Sequence, residues 1–152
     1  MKTLPRGLRN NNPLNIRHSA SCWQGARAEQ TDKAFVQFTS MTMGYRAAWR
    51  ILESYHKHFE AARKPFTPRN IILRWAPPDE NDSEAYLRRI CQLTTLAGNA
   101  PLSRPSRIQT SEDREKLVSL IAAMTCVENG ISMKDVDRVA IEKGLLLVRS
   151  EE

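Results

Sequence analysis

Glutamate 128 stands where a short apolar run stops. In "LIAAMTCVENG", residues 120–130, Leu120, Ile121 and Met124 continue a helical stripe begun by Leu117, and Glu128 follows four positions after Met124 on that stripe. A carboxylate is thereby placed at the C-terminal end of an apolar helix face. Desolvation and the negative end of the helix dipole both disfavour its charged form there, so the setting suits the protonated carboxyl that a general acid needs. The alternative is a partly solvated glutamate at a frayed helix end.

A second stretch, "RGLRNNNPLNIRHS" at residues 6–19, carries Asn10, Asn11, Asn12 and Asn15 around Pro13. Consecutive asparagines compete with the backbone for hydrogen bonds and make poor helix or strand. A loop of that kind suits a site that reads a polar, uncharged ligand such as a sugar through several amides. The plainer role is a turn that sets Ile16 into the core, and a mixture of the two is expected.

Other chemistry-bearing residues are sparser. His18 and Cys22 raise the arrangement of a Cys–His nucleophile, but no third group supports it. His56 and His58 are two apart on a helical pattern and diverge, so they cannot share a metal. The three cysteines, Cys22, Cys91 and Cys126, are far apart and never in C-x-x-C spacing. That argues against a disulfide framework or a zinc site, and Cys91 and Cys126 read as small buried apolar residues.

These residues need a scaffold, and the pattern supplies one. Residues 1–40 are irregular, with short apolar-alternating pieces around Trp23 and in "AFVQF" at 34–38, which predicts a small β-hairpin lobe. Helical periodicity takes over at 41–152. Tyr45, Ala48, Trp49, Leu52, Tyr55 and Phe59 recur at spacings of three and four and predict a long helix over 42–62. "FTPRNIILRWAPP" predicts a short helix capped by Thr67 with Pro68 in its first turn, stopped by Pro77 and Pro78. Another begins at Asn81 or Asp82 and is expected to end at Gly98. Thr110 and Asp113 have capping-box spacing for the helix that carries Glu128, with Asn129-Gly130 as its stop. A last helix is expected over 133–143, ending at Gly144, with "LLLV" folding back.

The whole reads as one mainly α domain of 152 residues, long enough for a real core. No run approaches the roughly 18 apolar residues of a membrane span, so membrane insertion is not expected. "MKTLPRGLRNNN" has no hydrophobic signal region, so the chain is expected to be made in the cytoplasm and to reach any outside target by lysis, packaging or non-classical export. The net charge of +6 favours an anionic partner such as nucleic acid, acidic lipid or cell-wall polymer. The arginines are dispersed along the chain, a general field rather than one dense nucleic-acid stripe.

Three stretches together resemble a known family. "LIAAMTCVENG" is similar to the helix of lysozyme-like muramidases and lytic transglycosylases that ends in the catalytic glutamate. "NNPLNIRHSASCWQG" followed by "FVQFTSMTMGYRAAWRIL" resembles the segment after that glutamate in flagellar-type glucosaminidases. With "WAPPDENDSEAY", the order over roughly residues 6–130 resembles a phage and prophage lytic-protein family that includes virion-associated lytic enzymes of double-stranded-RNA phages. Leu14 departs from that pattern, which has Gly there.

The resemblance implies a lysozyme-like fold in which the order is circularly permuted, because the glutamate helix comes late and the asparagines early. It implies cleavage of peptidoglycan glycan strands, of the muramidase or lytic transglycosylase type, with Glu128 as general acid/base and no cofactor. Glu29 and Asp32 are the candidates for a second acid, although each can equally be a solvated loop residue, and a transglycosylase needs none because the substrate's own hydroxyl attacks. Trp23, Trp75, Glu80, Asn81 and Tyr86 are expected around the cleft, with core packing the rival role for Trp23 and helix capping for Asn81. Peptidoglycan is the implied partner, with other phage proteins beside it and no specific nucleic acid. Rival readings are a cell-wall-binding or virion structural protein without catalysis, a peptidoglycan endopeptidase, and a helical nucleic-acid-binding protein. For a permuted lysozyme-like chain, Glu128 must face residues 10–15 across one groove.

Overall fold

A computed structural model describes residues 3–151; Met1, Lys2 and Glu152, the outermost positions of the expected 1–152 domain, lie outside the described residues. Six α-helices follow in order: α1 (Arg6–Arg9), α2 (Met41–Ala61), α3 (Pro68–Trp75), α4 (Ser83–Leu93), α5 (Ser111–Asn129) and α6 (Arg138–Ser150). Short 3₁₀ turns at Pro105–Arg107 and Met133–Asp135 join the later ones.

Local chemistry sets most helix starts. Ser40, Thr67, Asp82, Thr110 and Asp137 each accept a hydrogen bond from a backbone N–H of the first turn, as N-caps do. Pro68 opens α3, and Gly130 closes α5 in the left-handed conformation (φ 65°), where an L side chain would be strained.

The protein is built around α5. From Leu117 to Cys126 it is buried on nearly every side, Val118, Ala122 and Ala123 included, so burial extends well beyond the expected single stripe. Helix α2 reaches it through the Tyr45 hydroxyl, 3.0 Å from Thr125 Oγ1, and packs extensively along α6, where Trp49 Nε1 donates to the Ile141 carbonyl at 2.9 Å. One apolar cluster runs through these helices and includes Leu14, Ile16, Val36 and Phe38 from the N-terminal region.

Three expectations about elements are corrected. Helix α4 stops at Leu93 rather than Gly98, because Thr94 turns its hydroxyl back onto the Ile90 carbonyl (2.8 Å) and accepts from the Leu96 N–H. The last helix runs on to Ser150, with Gly144 inside it. A Cβ on Gly144 would lie 2.8 Å from Arg46 N and 3.1 Å from Thr42 O, so this glycine permits the close approach of α6 to α2 instead of ending the helix. Leu145 and Val148 are buried beyond it, and Glu151 closes the end with a two-oxygen ion pair to Arg46.

The N-terminal lobe is the third. In place of a hairpin, the described residues form only two isolated antiparallel bridges, Arg17 with Phe35 and Ala26 with Phe38. Side chains have taken the backbone groups a ladder would use. Asp32 Oδ1 accepts from the Phe35 N–H, Gln30 Oε1 from the Gln37 N–H, and the Phe38 carbonyl accepts from Asn11 and Arg27. No described helix is long and apolar enough to cross a membrane.

Candidate active site

At its C-terminal end, α5 meets the asparagine-rich segment that begins the chain. Asn129 donates to the Pro13 carbonyl at 2.7 Å, and Gly7 of α1 leaves room for the junction: a Cβ there would lie 2.5 Å from Asn129 Oδ1 and 2.8 Å from Asn15 Oδ1. Beside this junction opens a groove of about 600 Å³, lined by Leu14, Asn15, Ile16, Arg17 and Phe35 of the N-terminal segment and by Trp75, Ala76, Glu80 and Asn81 from the end of α3 and the turn after it. Ile51 and Tyr55 of α2 and the half-buried Glu128 also line it.

Three side chains hold the Glu128 carboxylate. Tyr86 Oη donates to Oε2 at 2.9 Å and Trp75 Nε1 reaches the same oxygen at 3.4 Å. Asn15 Nδ2 lies 3.3 Å from Oε1 and 3.3 Å from the Glu128 carbonyl. Burial, then the neighbouring Glu128 charge, pushes the Tyr86 phenol well above its ordinary value and keeps it a proton donor. Helix α3 ends at Trp75, the turn through Pro77 and Pro78 carries Glu80 and Asn81, and α4 brings Tyr86 back, so "WAPPDENDSEAY" surrounds Glu128 from one side.

The four asparagines divide. Asn12 is fully buried, donating to the carbonyls of Ile16 and Val36 and accepting from the Ile16 N–H; it builds the turn that places Ile16 in the core. Asn10 donates to Asp32 and accepts from Gln37, and Asn11, left-handed at φ 52°, donates to the Phe38 carbonyl. Asn15 alone of the four lines the groove. It takes the loop's second left-handed position (φ 54°), while Leu14 has no positive φ and is buried in the core.

Neither candidate second acid stands in the groove. Asp32 is anchored by both oxygens to the Arg6 guanidinium at 2.6–2.7 Å and accepts from Asn10 and two backbone N–H groups, with Arg6 foremost in holding its carboxyl well below the usual carboxylate range. It fastens the lobe. Glu29 is exposed on the surface away from the groove lining. The groove's acids are Glu128 and Glu80.

The remaining candidates fall elsewhere. Trp23 is half-buried against the core and shares a separate depression with His18 and the exposed Cys22. His18 Nε2 lies 2.7 Å from the Asp32 carbonyl, so that nitrogen is a donor serving the loop. Tyr86 touches Glu128 directly, where a cleft-wall role was expected of it. Sequence reasoning did not single out Arg17, Phe35, Ile51 and Tyr55 as groove residues; Tyr55 is counted there as core because it shares the α2 stripe, and its partial exposure comes from the groove.

Fold and site together define a mainly helical domain with an open polar groove over one clamped carboxylate. No family model matches the sequence. Protein P5 of Pseudoalteromonas phage PM2 is 33% identical over 137 residues, covering 88% of this chain and 77% of that protein. The chain belongs to the family of that phage protein.

Proposed function

We propose that this phage-related protein cleaves the glycan strands of peptidoglycan, with Glu128 as general acid and then general base. The observation that carries the reading is the placement of Glu128: an acid on the last turn of a buried helix, held by three donors, opening on a groove whose other walls carry amides and aromatic rings. Such a groove suits a sugar polymer, which offers hydroxyls and N-acetyl groups to amides and flat apolar faces to rings.

The clamp distinguishes the two carboxyl oxygens. Oε2 accepts from both Tyr86 and Trp75, whereas Oε1 has only the long contact with Asn15. The acidic proton therefore belongs on Oε1. From there it passes to the glycosidic oxygen within about 3 Å as the C–O bond breaks. The resulting carboxylate then accepts a proton from the attacking hydroxyl, either of water or of the sugar itself. A permuted lysozyme-like arrangement accounts for the chain order, since residues early in the chain supply Asn15 and its neighbours in the groove lining and α5, late in the chain, supplies the acid.

Zymography on purified cell walls with mass analysis of the products tests this. Reducing-end or anhydro-sugar products support glycan cleavage. Free amines without new sugar ends would make the protein an endopeptidase, and intact walls with bound protein would make it a binding or virion structural protein.

A further inference from the structure

Two arginines stack on one ring, and only one of them has a carboxylate. Arg6 and Arg17 place their guanidinium carbons 4.6 and 5.5 Å from the Phe35 ring centroid. Arg6 is neutralised by Asp32 through two hydrogen bonds. Among the described residues no carboxylate pairs with Arg17, which lies exposed at the groove wall. Its main chain is held in place: Arg17 is bridged to Phe35, with the Val36 N–H on the Ile16 carbonyl and the His18 N–H on the Ala34 carbonyl.

Arg17 is the cation of the groove lining, on the segment that carries Asn15, and the acids of the lining are Glu80, on the α3–α4 turn, and Glu128. A neutral glycan needs no such cation. A guanidinium resting on an aromatic face, its fork of N–H donors free, matches a carboxylate. We infer that Arg17 reads a carboxylate carried by the substrate and is the residue by which the groove takes an acidic amino-sugar polymer in preference to a neutral one. This rests on the glycan reading of the groove and adds to it a specificity-determining residue.

The test is a binding titration on the full chain carrying Glu128→Gln, which removes turnover. Two tetrasaccharides of equal length serve as probes: one of N-acetylglucosamine throughout, and one in which alternate sugars bear a free carboxyl on a lactyl ether. The acidic probe should bind about five- to tenfold more tightly, an advantage of about 1–1.4 kcal/mol. Adding Arg17→Gln should abolish that preference while leaving affinity for the neutral probe within about twofold, and Arg17→Lys should restore only part of it. Equal binding of the two probes, or a preference that survives Arg17→Gln, overturns the assignment of Arg17 alone. Binding of neither probe overturns the glycan reading, and this proposal with it. Arg17 is exposed, so unchanged thermal unfolding of the variants is the expected control.

Discussion

The Asn15 amide nitrogen lies 3.3 Å from Glu128 Oε1 and 3.3 Å from the Glu128 carbonyl, although 113 positions separate the two residues. One side chain thus reads both the acid and the end of the helix that carries it. Asn15 is itself fixed by its left-handed backbone and by the junction of Gly7, Pro13 and Asn129 around it. Glu128 is consequently aimed by the fold rather than by its own helix.

Replacing Glu128 by Gln keeps the shape and removes the transferable proton. The lytic rate on cell walls should fall by at least about 10²-fold, the scale of general acid–base catalysis. The midpoint of thermal unfolding should move little. A variant that keeps most of the wild-type rate would end the case for Glu128.

Asp32 and Glu29 separate anchoring from chemistry. Glu29→Gln should leave the lytic rate within about twofold, since an exposed residue outside the groove has no reacting atom to touch. Asp32→Asn should lower the unfolding midpoint by about 3 °C or more by loosening Arg6, Asn10 and the 34–35 turn. Because the folded Asp32 carboxyl is held below its unfolded value, its contribution is present above about pH 4 and is lost as pH falls below that. Thermal melts across pH 2 to 6 should show a weaker acid dependence in the variant.

All three tyrosines, Tyr45, Tyr55 and Tyr86, are pushed above the ordinary phenol value, burial being the leading cause in each. Absorbance titration of the folded protein should therefore show little tyrosinate at about pH 10, where the unfolded chain is half ionised. The sign follows from linkage: stability from these groups is complete below about pH 10 and declines as pH rises above it, because the unfolded chain releases those protons first. Abundant tyrosinate in a still-folded sample at that pH would contradict the burial of these hydroxyls.

Gly144→Val tests the packing of α6 on α2. The added Cβ would meet Arg46 N at 2.8 Å and Thr42 O at 3.1 Å, both backbone atoms that cannot swing aside. Overpacking of this kind costs about 1–3 kcal/mol. Denaturant unfolding should show a loss in that range, and an unchanged midpoint would mean that α6 is not seated there.

What could be read from the residues alone is what lies within a turn or two of them. The caps at Thr67 and Thr110, the prolines that open and follow α3, the stop at Gly130 and the periodicity of α2 all act locally, and each element came out close to its expected place. The position of Glu128 at the end of an apolar helix was legible for the same reason. Tertiary structure decided everything that depends on which distant groups meet. It turned Gly144 from a helix stop into a crossing point and spent the backbone donors of the 34–38 segment on side chains rather than on a ladder. It also selected Asn15 from four asparagines as the one at the groove, because the other three found nearer partners in Asp32, Gln37, Phe38, Ile16 and Val36. An amide has the same donors wherever it stands, so its role is set by what the fold brings within hydrogen-bonding reach of it.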